Sequence, residues 1–494
     1  MADSKFPAEE ATIESIQTAI REGEASALSV VDAYLARIEA YDRKGPALGS
    51  IISINENARA DAQALDDAYK STGAFVGPLH GVPVLVKDNI DVLGMETTGG
   101  TALLKGWRPP ADATIISKLR AAGAIILAKT TMSELARGGV DNINSVLPGF
   151  ARNPYNTAHA TGGSSGGTGS SLAANFGVIG LGSDTWGSIR NPSNNNSIVG
   201  LRPSWAIVSR SGMIGLYNAR DVAGPMARTV GDVAAMLDVI AGVDPKDPAT
   251  HGNEDKIATS YKAALNAGGL KGKRIGVLRQ AFPAAKSDPQ VLALFDKAVD
   301  DLAKAGAIII DPLTIPEFDA HPPEPHPKSE TRRGMETYLA RTGPGFPKTL
   351  AEIAASGKFH PLHETMFFAT SIAPRPEDDP IAAKLERDEI LMRMAYLRAM
   401  ALANVDALIT PGASYPPKLN GDRNTTPAGS CTWIASGLHW PALLVPMGYS
   451  YEDLPSGLQF IGRPFSDALL LEMGYAYEHA TLHRHPPSSV PPLS

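Results

Sequence analysis

Apolar residues recur at helical spacing near the start of the chain. Leu28, Val31, Leu35 and Ile38 fall every three or four positions between Thr12 and Tyr41, and Ser26 or Ser29 can cap a helix there. A short apolar run over 51–54 predicts a strand, 57–69 a helix, and 81–87 (GVPVLVK) a buried strand that ends on a lysine. A helix over 114–122, a stop at Gly123 and a strand over 124–128 have the grammar of a βαβ unit. The grammar returns past the midpoint: a strand over 274–278, a helix over 288–304, a stop at Gly306 and a strand over 307–310. A long helix over 380–403, strands at 407–409, 442–445 and 458–461, and a helix over 468–479 complete the pattern. These elements predict an α/β fold in one large domain, residues 1–494, with a mixed or parallel sheet covered by helices. The Pro-rich stretch 311–347 reads as an irregular insertion or lid, too short to be a domain.

Composition narrows the function classes. Hydrophobic residues make up 43% and charged residues 20%, which excludes wholesale disorder and collagen. Lys and Arg number 45 against 52 Asp and Glu, for a net charge of −7, and no Lys/Arg run exceeds two, so no nucleic-acid partner is expected. Apolar stretches such as 121–128 and 176–181 fall far short of the roughly 20 residues a membrane helix needs, so no membrane partner is expected. Met1 to Glu10 lack a cationic segment followed by an apolar one, and Cys431 is the sole cysteine, which excludes an intrachain disulfide and a multi-thiolate zinc site. The expected setting is reducing and cytoplasmic.

The segment 160–204 departs most from the average, being dense in Gly, Ser and Asn. Its glycines are not followed by the Lys and Ser or Thr of a phosphate-binding loop, and G-x-G-x-x-G is absent. Gly162-Gly163-Ser164-Ser165-Gly166 matches G-x-S-x-G, but the residues before it form no strand from which a nucleophile elbow could spring. The strand-like VIGLG and the apolar SLAAN within the segment argue against a flexible linker.

Three separated elements resemble the amidase signature family of serine hydrolases: GVPVLVKDN ending on Lys87, TGGSSGGTGSS around Ser164, and GSDTWGSIRNPS around Ser188. Lys87 and Ser164 are 77 residues apart and Ser164 and Ser188 are 24 apart, as that family requires, and the flanks GPLHGVPVLVKDNID, AGPMARTVGD and GLQFIGRPFSD are most similar to its peptide amidase-like branch. The resemblance spans nearly the whole chain. It implies a single amidase domain with a mixed central β-sheet sandwiched by α-helices, and a Ser-Ser-Lys triad: Ser188 as nucleophile, Ser164 as bridging hydroxyl, often on a cis peptide, and Lys87 as base. The chemistry is coherent, because a lysine accepts a proton only where burial keeps it neutral, and Val82, Val84, Leu85 and Val86 supply apolar surroundings.

The backbone amides of Thr185, Trp186, Gly187 and Ser188 would then form an oxyanion hole. Asp184 and Arg190 read as a brace for this turn. Trp186 stands where the family often has glycine, so an indole borders the acyl pocket or packs in the core; Met132, Leu147, Phe150 and Trp433 are further pocket candidates. The histidines at 360 and 363 and at 479, 483 and 485 read as exposed rather than as metal ligands, and no metal or cofactor is expected. The expected activity is hydrolysis of C–N bonds in a small-molecule amide, extending to carbamates and esters, by a monomer or homodimer. The alternative is a component of a transamidation complex that works on charged tRNA, since the family includes such members.

Overall fold

The computed structural model describes residues 6–137, 145–320, 327–422 and 431–493. One eleven-stranded mixed sheet runs through them: β1 Ile51–Ile54, β2 Pro83–Lys87, β3 Ile125–Thr130, β4 Ile179–Asp184, β5 Val199–Arg202, β6 Val222–Ala227, β7 Arg274–Val277, β8 Ile308–Ile310, β9 Ala407–Pro411, β10 Ala442–Ser450 and β11 Leu454–Gly462. Their spatial order is β1-β3-β2-β4-β6-β5-β10-β11-β9-β7-β8. The two parallel runs, β3-β2-β4 and β9-β7-β8, contain the two βαβ units of the sequence, β2 with β3 and β7 with β8, and antiparallel strands β6, β5, β10 and β11 join them. Every residue of β2, β3 and β4 is buried, as parallel strands covered on both faces must be.

Helix Ala27–Arg37 uses both expected caps at once. Ser26 accepts the Ser29 amide and Ser29 accepts the Ser26 amide, a capping box. Its buried face is Ala27, Val30, Val31 and Tyr34, with Leu28 and Leu35 half-buried beside it.

The insertion differs from its expected irregularity. It is helical over Lys328–Leu339, with Thr331, Met335, Tyr338 and Leu339 buried, while 321–326 lie outside the described residues. Tyr338 donates to Asp91 Oδ1 at 2.6 Å and accepts from Trp107 Nε1 at 3.0 Å, so the helix is bolted to the loop that follows β2.

Helix Gly166–Ala173 is buried along its whole length and packs on β2, β4 and β6. A Cβ at Gly167 would lie 2.2 Å from the Thr131 carbonyl oxygen, so only glycine allows this approach. The helix carries Ser164, at its N-terminal approach, up against the end of β2.

Candidate active site

Lys87 is the last residue of β2 and is fully buried. Its Nζ donates to Ser164 Oγ at 2.7 Å and to Ser183 Oγ at 2.8 Å. No carboxylate lies within ion-pair distance of it among the described residues. Burial pushes Lys87 down to about 7, against the opposing fields of Asp184 and Asp221. Val86 pairs with Lys129 on the neighbouring strand, and this second buried lysine is compensated: its Nζ lies 2.8 Å from Asp88 Oδ1 and donates to the Glu96 carbonyl and Thr97 Oγ1. Of the two, Lys87 is the one left without a counter-charge.

The Gly163–Ser164 peptide is cis, as the resemblance implied. The Ser164 carbonyl accepts from the Ser133 amide at 3.1 Å, and Asn191 Oδ1 accepts from the Gly163 amide at 3.3 Å. The Asn-rich segment, a short buried helix over Arg190–Asn195, stitches this approach to the sheet. Asn195 and Asn196 donate to the carbonyls of Ala160 and Thr161, and Asn194 accepts from the Gly457 amide. Its unusual polarity is therefore internal hydrogen bonding: Asn195 and Asn196 satisfy backbone that carries no regular structure, and Asn194 ties the helix to β11.

Asp184 ends β4 and organises the turn to Ser188. It accepts from the Gly187 amide at 2.8 Å, the Ile189 amide at 3.2 Å, Arg190 Nε at 3.1 Å and Arg202 Nη1 at 3.2 Å. Burial alone would raise its pKa, but Arg190 and Arg202 outweigh that and hold the carboxyl well below the usual range. The brace read from the sequence is thus present, with Arg202 as a second cation. It also corrects one donor of the expected oxyanion hole: the Gly187 N–H is spent on Asp184. The amides of Thr185, Trp186 and Ser188 meet no acceptor among the described residues. Gly187 has φ +109°, and a Cβ there would lie 2.0 Å from Thr432 Oγ1. The conformation glycine serves falls at 187, not at Trp186.

Ser188 is 9% exposed, and its hydroxyl forms no hydrogen bond among the described residues, including none with Ser164. The two serines are tied through the backbone, the Ser165 amide donating to the Ser188 carbonyl at 3.2 Å. Ser183 was not legible as a site residue. Its hydroxyl accepts from Lys87 and from Asn89 Nδ2 at 3.0 Å, and nothing in a Gly/Ser-rich run marks it out.

Trp186 is half-buried. It stacks near Trp433, with centroids 6.4 Å apart and planes at 23°. Met132 is fully buried, Leu147 half-buried before a cis Pro148, and Phe150 is 45% exposed with no ring contact among the described residues. His363 is buried beside Phe367, not exposed, and His360 Nδ1 accepts from the Leu362 amide. Among the described residues no group of three or more His, Cys, Asp or Glu is placed to hold a metal ion, and no helix is long and apolar enough to cross a membrane.

The fold, rather than the individual site residues, is what the comparisons with known proteins bear on. The Amidase family model matches residues 29–471. A glutamyl-tRNA(Gln) amidotransferase component from Synechococcus sp. (strain CC9311) is 32% identical, over 96% of this chain and 98% of its own. The crystal structure of native peptide amidase from Stenotrophomonas maltophilia is 33% identical and superposes with a TM-score of 0.86 over 98% of this chain and 99% of its own. A peptide amidase structure with the competitive inhibitor chymostatin gives 34% and 0.85, over 98% and 100%. The chain belongs to the amidase signature family, an amide-hydrolysing family of enzymes. Its solved neighbours place peptide amidases among its structural relatives.

Proposed function

We propose that the chain is a stand-alone amidase that hydrolyses the C–N bond of small amides through an acyl-enzyme, with carbamates and esters sharing the same tetrahedral intermediate. The observation that carries this reading is Lys87, buried without a carboxylate partner and 2.7 Å from the Ser164 hydroxyl. Rotation of the unengaged Ser188 hydroxyl toward Ser164 would complete the relay. Ser188 Oγ then bonds to the carbonyl carbon as its proton passes through Ser164 to Lys87, and the carbonyl electrons move to the oxygen. The amides of Thr185, Trp186 and Ser188 receive that oxyanion, where one lost donor typically costs about 10²–10³ in rate. On collapse the C–N bond breaks and the proton returns through Ser164 to the departing nitrogen. Water, deprotonated along the same path, cleaves the acyl-enzyme. No cofactor enters this scheme.

A second reading, a component of a transamidation complex that works on charged tRNA, is supported by the 32% identity to the Synechococcus glutamyl-tRNA(Gln) amidotransferase component. It stands against the expectation of no nucleic-acid partner. The acidic charge balance and the higher TM-score with peptide amidase, 0.86 against 0.75 for the corresponding Thermotoga maritima amidotransferase component, favour the first. Release of 4-nitroaniline from 4-nitroacetanilide by the purified chain, without ATP or a partner, tests it. Turnover supports the stand-alone amidase, and activity that appears only with tRNA, ATP and partner proteins overturns it.

A further inference from the structure

The indole of Trp186 is set in place by an ionic knot outside the triad. The Arg220 guanidinium carbon lies 4.7 Å from the Trp186 ring centroid and 4.9 Å from that of Tyr217. Arg220 is fully buried and donates to Glu389 Oε1 from Nε, at 2.8 Å, and from Nη2. The other carboxylate oxygen of Glu389 faces His439 Nε2 at 2.9 Å. Glu389 lies in helix Pro380–Leu402, and His439 is the C-cap of the six-residue helix that Trp433 begins. The same knot therefore holds a cation against Trp186 and anchors the far end of the element carrying Trp433. Phe318, 5.8 Å from Trp433, extends the row of rings.

A buried guanidinium is attracted to an indole face and restricts where that ring can lie. Trp186 is nonetheless only half-buried, and it lies two residues before Ser188 in the chain. Resting on the reading of Ser188 as nucleophile, we propose that Arg220, clamped by Glu389 and His439, is a positioning residue that fixes Trp186 as a wall of the acyl pocket. The Trp186–Trp433 row then selects amides whose acyl group carries a planar aromatic ring. Such a ring gains offset or edge contacts with the indoles that an alkyl acyl group cannot make.

The test reads binding, so that it does not depend on turnover. In the full chain carrying Ser188→Ala, calorimetry gives Kd for N-(4-nitrophenyl)benzamide and for 4-nitroacetanilide, which share a leaving group. The parent should prefer the benzoyl compound. Arg220→Met combined with Glu389→Gln, which leaves no unpaired buried carboxylate, should cut that preference about tenfold, the scale of a hydrophobic pocket contact. Arg220→Lys, which keeps the cation, should retain most of it and serves if the combined variant does not fold. Trp186→Leu should abolish the preference, and adding the Arg220 and Glu389 changes to it should remove nothing more. Parallel weakening of both ligands, additive losses, or no preference in the parent overturns the proposal. If the wild-type chain releases nitroaniline from neither compound, the hydrolase reading fails while the Kd ratios still decide the role of Arg220.

Discussion

Lys87 and Lys129 stand on adjacent strands, both fully buried, and only Lys129 faces a carboxylate, Asp88 Oδ1 at 2.8 Å. Two lysines of like burial are thereby given opposite tasks. One is a charged strut; the other is held near neutrality beside a serine.

The pH dependence of turnover follows from that difference. If Lys87 is the base proposed above, it must be unprotonated to act, and burial pushes it down to about 7, so kcat/KM should rise as pH passes through about 7 and level off above it. Lys87→Ala should lose at least about 10³ in kcat, by analogy with loss of the general base in serine hydrolases. Stability should show the complementary sign: the unfolded lysine binds its proton up to 10.5 and the folded one only to about 7, so wild type gains stability relative to Lys87→Met as pH rises from 7 to 10. A rate that peaks near pH 5 and falls above it rules out the neutral-lysine base.

Lys129→Met should behave differently. It strands Asp88 and should cost about 3–5 kcal/mol of stability while leaving the midpoint of the pH–rate profile near 7. Urea denaturation together with the profile checks both halves.

Ser183→Ala removes an acceptor from the protonated form of Lys87. The loss should lower the apparent pKa further, moving the rising limb to lower pH, and reduce kcat by about tenfold, as the loss of one hydrogen bond to a charged group allows. An unmoved limb would make Ser183 mere packing.

Asp184→Asn should destabilise the chain by about 3–5 kcal/mol, because Arg190 and Arg202 lose their buried counter-charge. The folded pKa of Asp184 is depressed, so its contribution is complete above the ordinary 3.8 and disappears only as pH falls through the lowered value. The Tm gap between wild type and variant should therefore persist from pH 8 to 5, widening as pH falls through about 7 because Lys87 has lost the field of Asp184, and close only in stronger acid.

How far these features could be read from sequence varied with their physical origin. The two βαβ units were legible because apolar runs, helical spacing and the stops at Gly123 and Gly306 all agree, and Lys87 stood out as a charge closing an apolar strand. The helix Lys328–Leu339 was hidden by its polarity, KSETRRGMETYL, since tertiary contacts such as Tyr338 with Asp91 hold it in place. Strands β5 and β6 were missed for a related reason: Val199–Arg202 and Val222–Ala227 are short and carry Gly, Pro and Arg, which weaken the strand signal. Gly187 looked like one more oxyanion amide because no sequence pattern tells which N–H an adjacent aspartate will engage.

The central claim, that Ser188 is the nucleophile activated by Lys87 through Ser164, is tested most directly by labelling the wild-type chain with a fluorophosphonate and mapping the modified peptide by mass. The account predicts one adduct, on Ser188, that forms faster as pH rises through about 7 and does not form in Lys87→Ala. An adduct on Ser164, or one on Ser188 that forms equally well without Lys87, would contradict it.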